Sequence, residues 1–150
     1  MARTQQTSTA ATKPLPVPDE RSQPFWDATG RHELVIQRCQ DCGQYAHPPV
    51  IICAGCLSTR PSFAFETVSG AGTIKTWTVM RTAFLPAFHA DLPYVMVEVE
   101  LAEQEGLTLV GRLVDGPDAP IALGMAVETV FDDVAPGMAV PEFELTGGST

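Results

Sequence analysis

Apolar and polar residues alternate along the second half of this chain. The stretch "PYVMVEVEL" places three valines and Leu101 on one face, and "GTIKTWTVMR" places Ile74, Thr76, Thr78 and Met80 on one face. Alternation with a period of two is typical of half-buried β-strands. Further strand candidates are "GLTLVGRLVD", "GMAVETVFDDV" and a short final "AVPEFEL", and the glycines and prolines between them indicate turns. Five strands with little helix between them predict a small barrel and a mainly β fold.

The N-terminal part of the chain lacks this alternation. Residues 1–20 are rich in Thr, Ala, Gln and Pro without apolar periodicity, so we expect a flexible arm. The next stretch, "RSQPFWDATGRHEL", favours a short helix with Pro24 early and Gly30 as its stop signal. Phe25 and Trp26 are the apolar anchors of this helix, and they pack either on the chain's own core or on a partner. Between the first two barrel strands, "TAFLPAFHADL" is an apolar loop or a short helix.

All four cysteines lie in "CQDCGQYAHPPVIICAGC", as Cys39, Cys42, Cys53 and Cys56. Two CxxC pairs separated by a short hairpin are the pattern of a zinc ribbon. Four protein ligands leave no open position on the metal, so we expect one structural zinc ion per chain. Iron in place of zinc, and thiol chemistry without a metal, both remain open. The intervening His47 is interpreted as a ribbon side chain.

Composition and charge narrow the function classes. The chain has no run of 18 apolar residues and no secretory signal, which predicts no membrane span, a cytoplasmic location and reduced thiols. A net charge of -9 argues against a nucleic-acid partner. The charge is uneven, because residues 1–81 carry a net +2 and residues 82–150 a net -11. The basic residues near the cysteines form either a patch for a small polyanion or a solvated face.

No catalytic motif stands out. A metal clamp engages every thiol, and the sequence contains no GxSxG, Walker or dinucleotide-binding signature. The three histidines, His32, His47 and His89, are scattered along the chain. A carboxylate acid/base pair formed by the fold remains open. The residues therefore indicate a binding module rather than an independent enzyme.

The order of these features resembles domain-of-unknown-function family thirty-five. The matching pieces are "PFWDATGRHEL", the cysteine ribbon, "SGAGTIKTWTV", "PYVMVEVEL", "LVGRLVD" and "LGMAVETVF", over about residues 23–134. The resemblance implies helices, a rubredoxin-like zinc ribbon and a five-stranded OB-fold barrel. The expected boundaries are 1–20 for the arm, 21–34 for the helical segment, 35–66 for the ribbon, 67–145 for the OB-fold and 146–150 for a flexible tail. Val50 stands where family members often carry Arg, which puts an anion contact there in doubt.

The resemblance also implies a function. Proteins of this family sit beside thiolase-like enzymes that act on acyl-CoA, and the partner carries the chemistry. We therefore expect a non-catalytic subunit of a hetero-oligomer, a heterotetramer, whose partner is an aldolase. That aldolase would perform retro-aldol cleavage of a β-hydroxyacyl-CoA in steroid side-chain degradation. The alternatives are a thiolase, hydroxymethylglutaryl-CoA synthase or acyltransferase complex, and a free-standing OB-fold binding module.

Candidate residues for these contacts follow from the chemistry of coenzyme A and of apolar interfaces. Phosphates of CoA would meet Lys75, Arg81 and Arg112, and Trp77 and Phe84 would offer aromatic surface. A position in the barrel core is the alternative for Trp77, and an internal ion pair is the alternative for Arg112. A stretch without charged residues lies between Arg81 and Asp91. The residues proposed for the partner interface are Phe25, Trp26, Phe84, Leu85 and Phe88.

Overall fold

A computed structural model of the chain describes residues 12–147. Residues 1–11 of the predicted arm and residues 148–150 of the predicted tail lie outside this range. Residues 12–19 form neither helix nor strand. None of the helices in the described range is long and apolar enough to cross a membrane.

A single α-helix in the described range, α1 (Gln23–Thr29), precedes the sheets. Pro24 fits its first turn, where the missing N–H costs nothing, and the chain leaves the helix at Gly30. The buried face carries Phe25, Ala28 and Thr29. The predicted short helix is confirmed, and it packs its apolar face onto the chain's own core.

A three-stranded antiparallel sheet follows the helix. Its strands are β1 (Val35–Cys39), β2 (Tyr45–Ala46) and β3 (Phe63–Thr67), in the order β2-β1-β3. Residues of the central strand β1 are buried except Arg38, which is half-buried. Cys39 ends β1, and the other three cysteines lie between β1 and β3, so the sheet supports the metal ribbon.

The remaining strands close into a barrel. They are β4 (Ala71–Met80), β5 (Tyr94–Leu101), β6 (Thr108–Leu113), β7 (Ala126–Ala135) and β8 (Met138–Leu145), in the order β4-β5-β6-β8-β7. A 3-10 helix (Pro86–Asp91) lies in the connection between β4 and β5. The mainly β fold with a five-stranded barrel is confirmed. The predicted short final strand is eight residues long and pairs with β7 from end to end.

A β-bulge in β4 corrects one detail of the predicted alternation. Ile74 lies opposite Val99, but Thr76 lies opposite Glu98, so Lys75 is an extra residue in the ladder. Beyond the bulge Trp77 lies opposite Val97, which faces the barrel interior. The predicted shared face for Ile74, Thr76, Thr78 and Met80 is therefore wrong at Ile74, because one extra residue places the three later side chains on the other face.

The barrel core is built from the alternating residues of β5 and their neighbours. Val95, Val97, Val99 and Leu101 are each at most 2% exposed, which confirms the face predicted from "PYVMVEVEL". Phe143 of β8 is fully buried, and its ring leaves no room for a side chain at Gly111 of β6. A Cβ atom at Gly111 would lie 2.9 Å from the Phe143 ring, closer than side chains tolerate. Packing of the barrel core thus requires glycine at position 111.

Candidate metal centre and binding surfaces

Two tight turns hold the cysteines. The Gly43 amide donates to the Cys39 carbonyl at 2.8 Å, and the Leu57 amide donates to the Cys53 carbonyl at 2.9 Å. Gly43 has φ +79°, a left-handed conformation that glycine adopts without strain. Leu57 has φ +55°, which is uncommon for a residue with a side chain. Each CxxC pair therefore closes its own turn and points two sulfurs in one direction.

The four sulfur atoms meet at one point. The Cys39 and Cys56 Sγ atoms are 3.9 Å apart, the Cys42 and Cys53 Sγ atoms are 3.5 Å apart, and all four lie within 4.8 Å of one another. A tetrahedron of thiolates around zinc, with Zn–S bonds near 2.3 Å, has sulfurs about 3.8 Å apart. The cluster therefore fits a zinc ion with four cysteine ligands. Such an ion stabilises the fold and has no open coordination position for water or substrate.

Backbone amides and neighbouring sulfurs set the thiol pKa values. The amide of Cys56 lowers the pKa of Cys53 to about 7. For Cys42, the amide of Gln44 acts in the same direction, but the Cys53 sulfur and burial outweigh it and raise the pKa to about 12. Four crowded thiols cannot all ionise without a counter-charge, since each thiolate disfavours the next. A divalent cation supplies that charge, in agreement with the metal-site interpretation.

The Arg38 side chain braces the first cysteine turn. Its Nε donates to the Gly43 carbonyl at 2.9 Å, and its NH1 lies 2.8 Å from a carboxylate oxygen of Glu66. The guanidinium also lies 4.8 Å from the centre of the Tyr45 ring. The hydrogen bond from Arg38 holds the pKa of Glu66 below its ordinary value. His47 stands apart from the sulfur cluster. Its ring lies 5.2 Å from the Phe25 ring, and burial lowers its pKa.

Two glutamine side chains, which no sequence motif marks, bind backbone segments by paired hydrogen bonds. Gln37 is 5% exposed, and its amide accepts from Val50 N–H at 2.7 Å and donates to Val50 C=O at 3.1 Å. Gln104 makes the same pair of bonds with Tyr45, at 2.7 and 3.1 Å. Each amide acts as a short piece of neighbouring strand. The contacts join residues 13 and 59 positions apart, so no local pattern could indicate them.

The residues predicted to contact acyl-CoA do not form one group. Lys75, Trp77 and Arg81 follow one another along β4 and its continuation, and Phe84 lies in the next loop. Trp77 is 38% exposed and Arg81 is exposed, whereas Lys75 forms an ion pair with Glu100 at 3.3 Å. Arg112 lies elsewhere, 3.5 Å from Asp91 and stacked over Tyr94. The alternative of an internal ion pair for Arg112 is thus what the structure shows.

The residues predicted for a partner interface fall into two groups, one that packs on the core and one that is exposed. Phe25 is 5% exposed and packs edge-on against Trp26, with ring centres 5.0 Å apart, and both contact the core. This burial favours the own-core alternative for the helix aromatics. Phe84 and Leu85 are fully and half exposed. Phe88 is half-buried and lies beneath the ammonium group of Lys13, 5.5 Å from it. The exposed apolar surface of this loop is therefore Phe84 and Leu85.

A rubredoxin-like zinc ribbon followed by an OB-fold barrel is thus the class of protein that the fold and the cysteine site define. Family models match both parts, the ChsH2 rubredoxin-like zinc ribbon domain over residues 26–62 and the ChsH2 C-terminal OB-fold domain over residues 65–132. A DUF35 domain-containing scaffold protein of Methanocaldococcus jannaschii is 35% identical over 103 residues, which cover 67% of this chain and 69% of that protein. The chain belongs to the DUF35 family, as the sequence resemblance predicted.

Two longer relatives and one solved structure add context. A "Probable enoyl-CoA hydratase alpha subunit" of Thermomonospora curvata is 35% identical over 82% of this chain. The 3-oxo-4,17-pregnadiene-20-carboxyl-CoA hydratase alpha subunit of Mycobacterium tuberculosis is 34% identical over 73% of it. This chain spans only 37% and 33% of their lengths. The solved Ltp2-ChsH2(DUF35) aldolase contains a chain that is 30% identical, with a TM-score of 0.74, 87% of this chain covered and 98% of that one.

Proposed function

We propose that this chain is a non-catalytic subunit of a complex with a thiolase-like enzyme. The partner would be an aldolase that cleaves a β-hydroxyacyl-CoA by retro-aldol reaction in steroid side-chain degradation. The observation that carries the proposal is the similarity to the Ltp2-ChsH2(DUF35) aldolase, in which nearly the whole matched chain superposes on this one. The steroid substrate named for the Mycobacterium tuberculosis relative supports the substrate class.

The chemistry of the described residues supports a role without catalysis. The cysteine cluster has four protein ligands, so a zinc ion there offers no position for an activated water. Each histidine has a structural contact: His32 with Asp133 at 2.8 Å, His47 with the Phe25 ring, and His89 with the Ala83 carbonyl at 3.0 Å. In this proposal the partner supplies every group that reacts.

The partner surface that we propose is the outer half of β4 and the loop after it. Among the described residues, β4 pairs with β7 only over Ala71–Thr73, and Ile74 makes backbone hydrogen bonds with Gly124 and Met125. Beyond Ile74, this edge of β4 pairs with no strand of the described chain. Exposed Trp77, Phe84 and Leu85 lie along this edge and loop. Aromatic residues that are exposed on the free chain are the typical anchors of protein interfaces. A thiolase-like partner that covers this surface would bury them.

Acyl-CoA would approach the same surface. Arg81, just beyond the end of β4, is exposed and available to phosphates. Lys75 lies on β4 and would exchange its ion pair with Glu100 for a contact with a phosphate. Trp77 and Phe84 are exposed enough for an adenine to stack on them, a contact worth roughly 1–3 kcal/mol per base. Arg112 is not part of this proposed site, because it lies on β6, where it pairs with Asp91. A cytoplasmic location and a heterotetrameric assembly complete the proposal.

A second candidate is a scaffold subunit of another thiolase-type complex, such as a thiolase with hydroxymethylglutaryl-CoA synthase. The Methanocaldococcus jannaschii relative is named a scaffold protein and is shorter than the hydratase subunits, since this chain covers 69% of it. An acyltransferase complex and a free-standing OB-fold module are further candidates. All complex-based candidates require a thiolase-like partner, and they differ in the reaction of that partner.

Co-purification tests the partnership. The chain is co-expressed with the thiolase-like protein of its own organism and analysed by size-exclusion chromatography with light scattering. We expect a stable hetero-oligomer that Phe84→Asp weakens by tenfold or more in affinity, as for an anchor worth about 1.4 kcal/mol or more. Val110→Asp is the matched control, because Val110 is 61% exposed on β6. Separate elution of the two wild-type chains would contradict the proposal.

A further inference from the structure

A groove crosses the outer face of the barrel, beside the connection between β4 and β5. It has a volume of about 820 Å³. Its floor carries outward-facing residues of β5 to β8, among them Met96, Arg112, Val140 and Glu142. Register places these strands side by side, with Met96 opposite Arg112 and Asp132 opposite Val140. The volume lies in the range of ligand-binding clefts, and the face is the one that OB-folds use for ligands.

The chain's own N-terminal segment already lies in this groove. Residues 12–16, here called the strap, form one wall of it. The Lys13 ammonium forms an ion pair with Asp91 and lies over the Phe88 ring. Leu15 is still 47% exposed, so the strap covers the groove loosely. The segment that occupies the groove in this structure therefore indicates which sequences the groove can bind.

The sequence of the strap fits an extended left-handed conformation. The run "KPLPVP" has proline at every second position from Pro14 to Pro18. Proline restricts itself and the residue before it to extended backbone, so such a run favours a polyproline II helix at little entropic cost. Grooves that bind this helix are lined with aromatic side chains. Phe88 and Tyr94 provide such a lining.

The charge of the groove favours a positively charged residue next to the prolines of a bound segment. Its lining includes four carboxylates against two cations: Asp91, Asp132, Asp133 and Glu142 against Lys13 and Arg112. Asp91 is shared between Lys13 and Arg112, and Asp133 contacts His32. Burial and the charge of Asp132 raise the pKa of Glu142. A cation is therefore favoured in the groove, and the phosphates of coenzyme A are repelled.

We propose that this groove is a docking site for an extended, proline-containing segment with a lysine or arginine, and that the strap occupies it in cis. A partner protein with such a segment would compete with the strap. The groove adjoins the loop after β4 through Phe88 and Asp91, but Trp77, Phe84 and Leu85 do not line it, and the proposal does not depend on the thiolase-like partnership. The strap would then compete with an incoming segment. The apparent affinity for that segment equals the affinity of the empty groove multiplied by the fraction of time that the strap leaves the groove free.

A labelled peptide tests the proposal on the full chain. The probe is the heptapeptide Thr-Lys-Pro-Leu-Pro-Val-Pro, the sequence of residues 12–18, measured by fluorescence anisotropy. Lys13→Glu places a carboxylate beside Asp91 and should release the strap. If the strap fills the groove nine-tenths of the time, its release raises the affinity about tenfold. Arg21→Glu is the matched control, since it makes the same charge change at an exposed residue paired only with Asp19 among the described residues.

The expected pattern has three parts. The K13E chain binds the peptide about tenfold more tightly than the wild type and R21E chains, the double variant K13E/D91N loses that gain, and a peptide with glutamate in place of lysine does not bind. Coenzyme A, added as a competitor, leaves the anisotropy unchanged. Equal binding by the wild type and K13E chains, absence of binding to all chains, or displacement of the peptide by coenzyme A would overturn the proposal.

Discussion

The side-chain amide of Gln104 binds the backbone of Tyr45 through two hydrogen bonds, 2.7 Å from Tyr45 N and 3.1 Å from Tyr45 O. Tyr45 lies in β2 of the metal ribbon, and Gln104 lies in the turn between β5 and β6 of the barrel. The two residues are 59 positions apart in the chain. The amide takes the place that a residue of a neighbouring strand would have, and so it fixes the ribbon against the barrel.

Substitution of this glutamine should loosen the ribbon from the barrel. Gln104→Ala leaves both backbone groups of Tyr45 without their partner, and we expect a loss of roughly 1–3 kcal/mol in the free energy of unfolding. Urea denaturation followed by tryptophan fluorescence measures it. Glu105→Ala changes an exposed neighbour and should leave the midpoint unchanged. Equal midpoints for Q104A and the wild type would show that the contact contributes nothing.

The metal site predicts one zinc ion per chain. Cys53→Ser removes a buried ligand of the cluster, so the metal content should fall and the ribbon should lose its structure. Acidification should release the metal as well, because protons compete with zinc for the thiolates. Atomic emission on the purified chain measures the stoichiometry.

His47→Ala is the control for the metal assignment, since His47 lies against Phe25 and outside the sulfur cluster. The H47A chain should retain one zinc ion. Loss of the metal in H47A, or iron in place of zinc in the wild type, would contradict the assignment of the ligands or of the ion.

Glu142 predicts a stability change that depends on pH. Burial and the charge of Asp132 raise its pKa above the ordinary 4.5, so the folded state binds this proton more tightly than the unfolded state. Its ionised form therefore destabilises the fold at neutral pH, and this cost disappears below pH 4.5, where both states are protonated. Glu142→Gln should raise the free energy of unfolding at pH 7 and leave it nearly unchanged at pH 4.

The matched control for this prediction is Glu144→Gln, on the same strand but exposed. Denaturant titrations of both variants and the wild type at the two pH values give the comparison. A gain for E142Q that is the same at pH 4 and pH 7, or a gain that E144Q shares, would remove Glu142 as the cause.

Local patterns were enough to predict the main elements. The valines of β5 alternate strictly, and the strand is buried on that face, because a period of two fixes the side of a sheet. The cysteine spacing predicted the ribbon, since a CxxC turn brings two sulfurs together without help from distant residues. These features depend on short stretches of chain.

Features that depend on distant contacts could not be predicted. The bulge at Lys75 is set by the pairing of β4 with β5, and no residue of β4 alone marks it. The Gln37 and Gln104 amides bind backbone that the fold brings to them. The assignment of Arg112 to phosphates did not anticipate Asp91, which approaches from the loop before β5.

The central proposal is that this chain is a non-catalytic subunit and that its thiolase-like partner catalyses the reaction. The direct measurement is the rate at which a β-hydroxyacyl-CoA with a steroid-type side chain is cleaved to a carbonyl product and a shorter acyl-CoA. The account predicts cleavage by the thiolase-like protein together with this chain, none by this chain alone, and a reduced rate with the F84D variant. Full activity of the thiolase-like protein without this chain, or turnover by this chain alone, would contradict it.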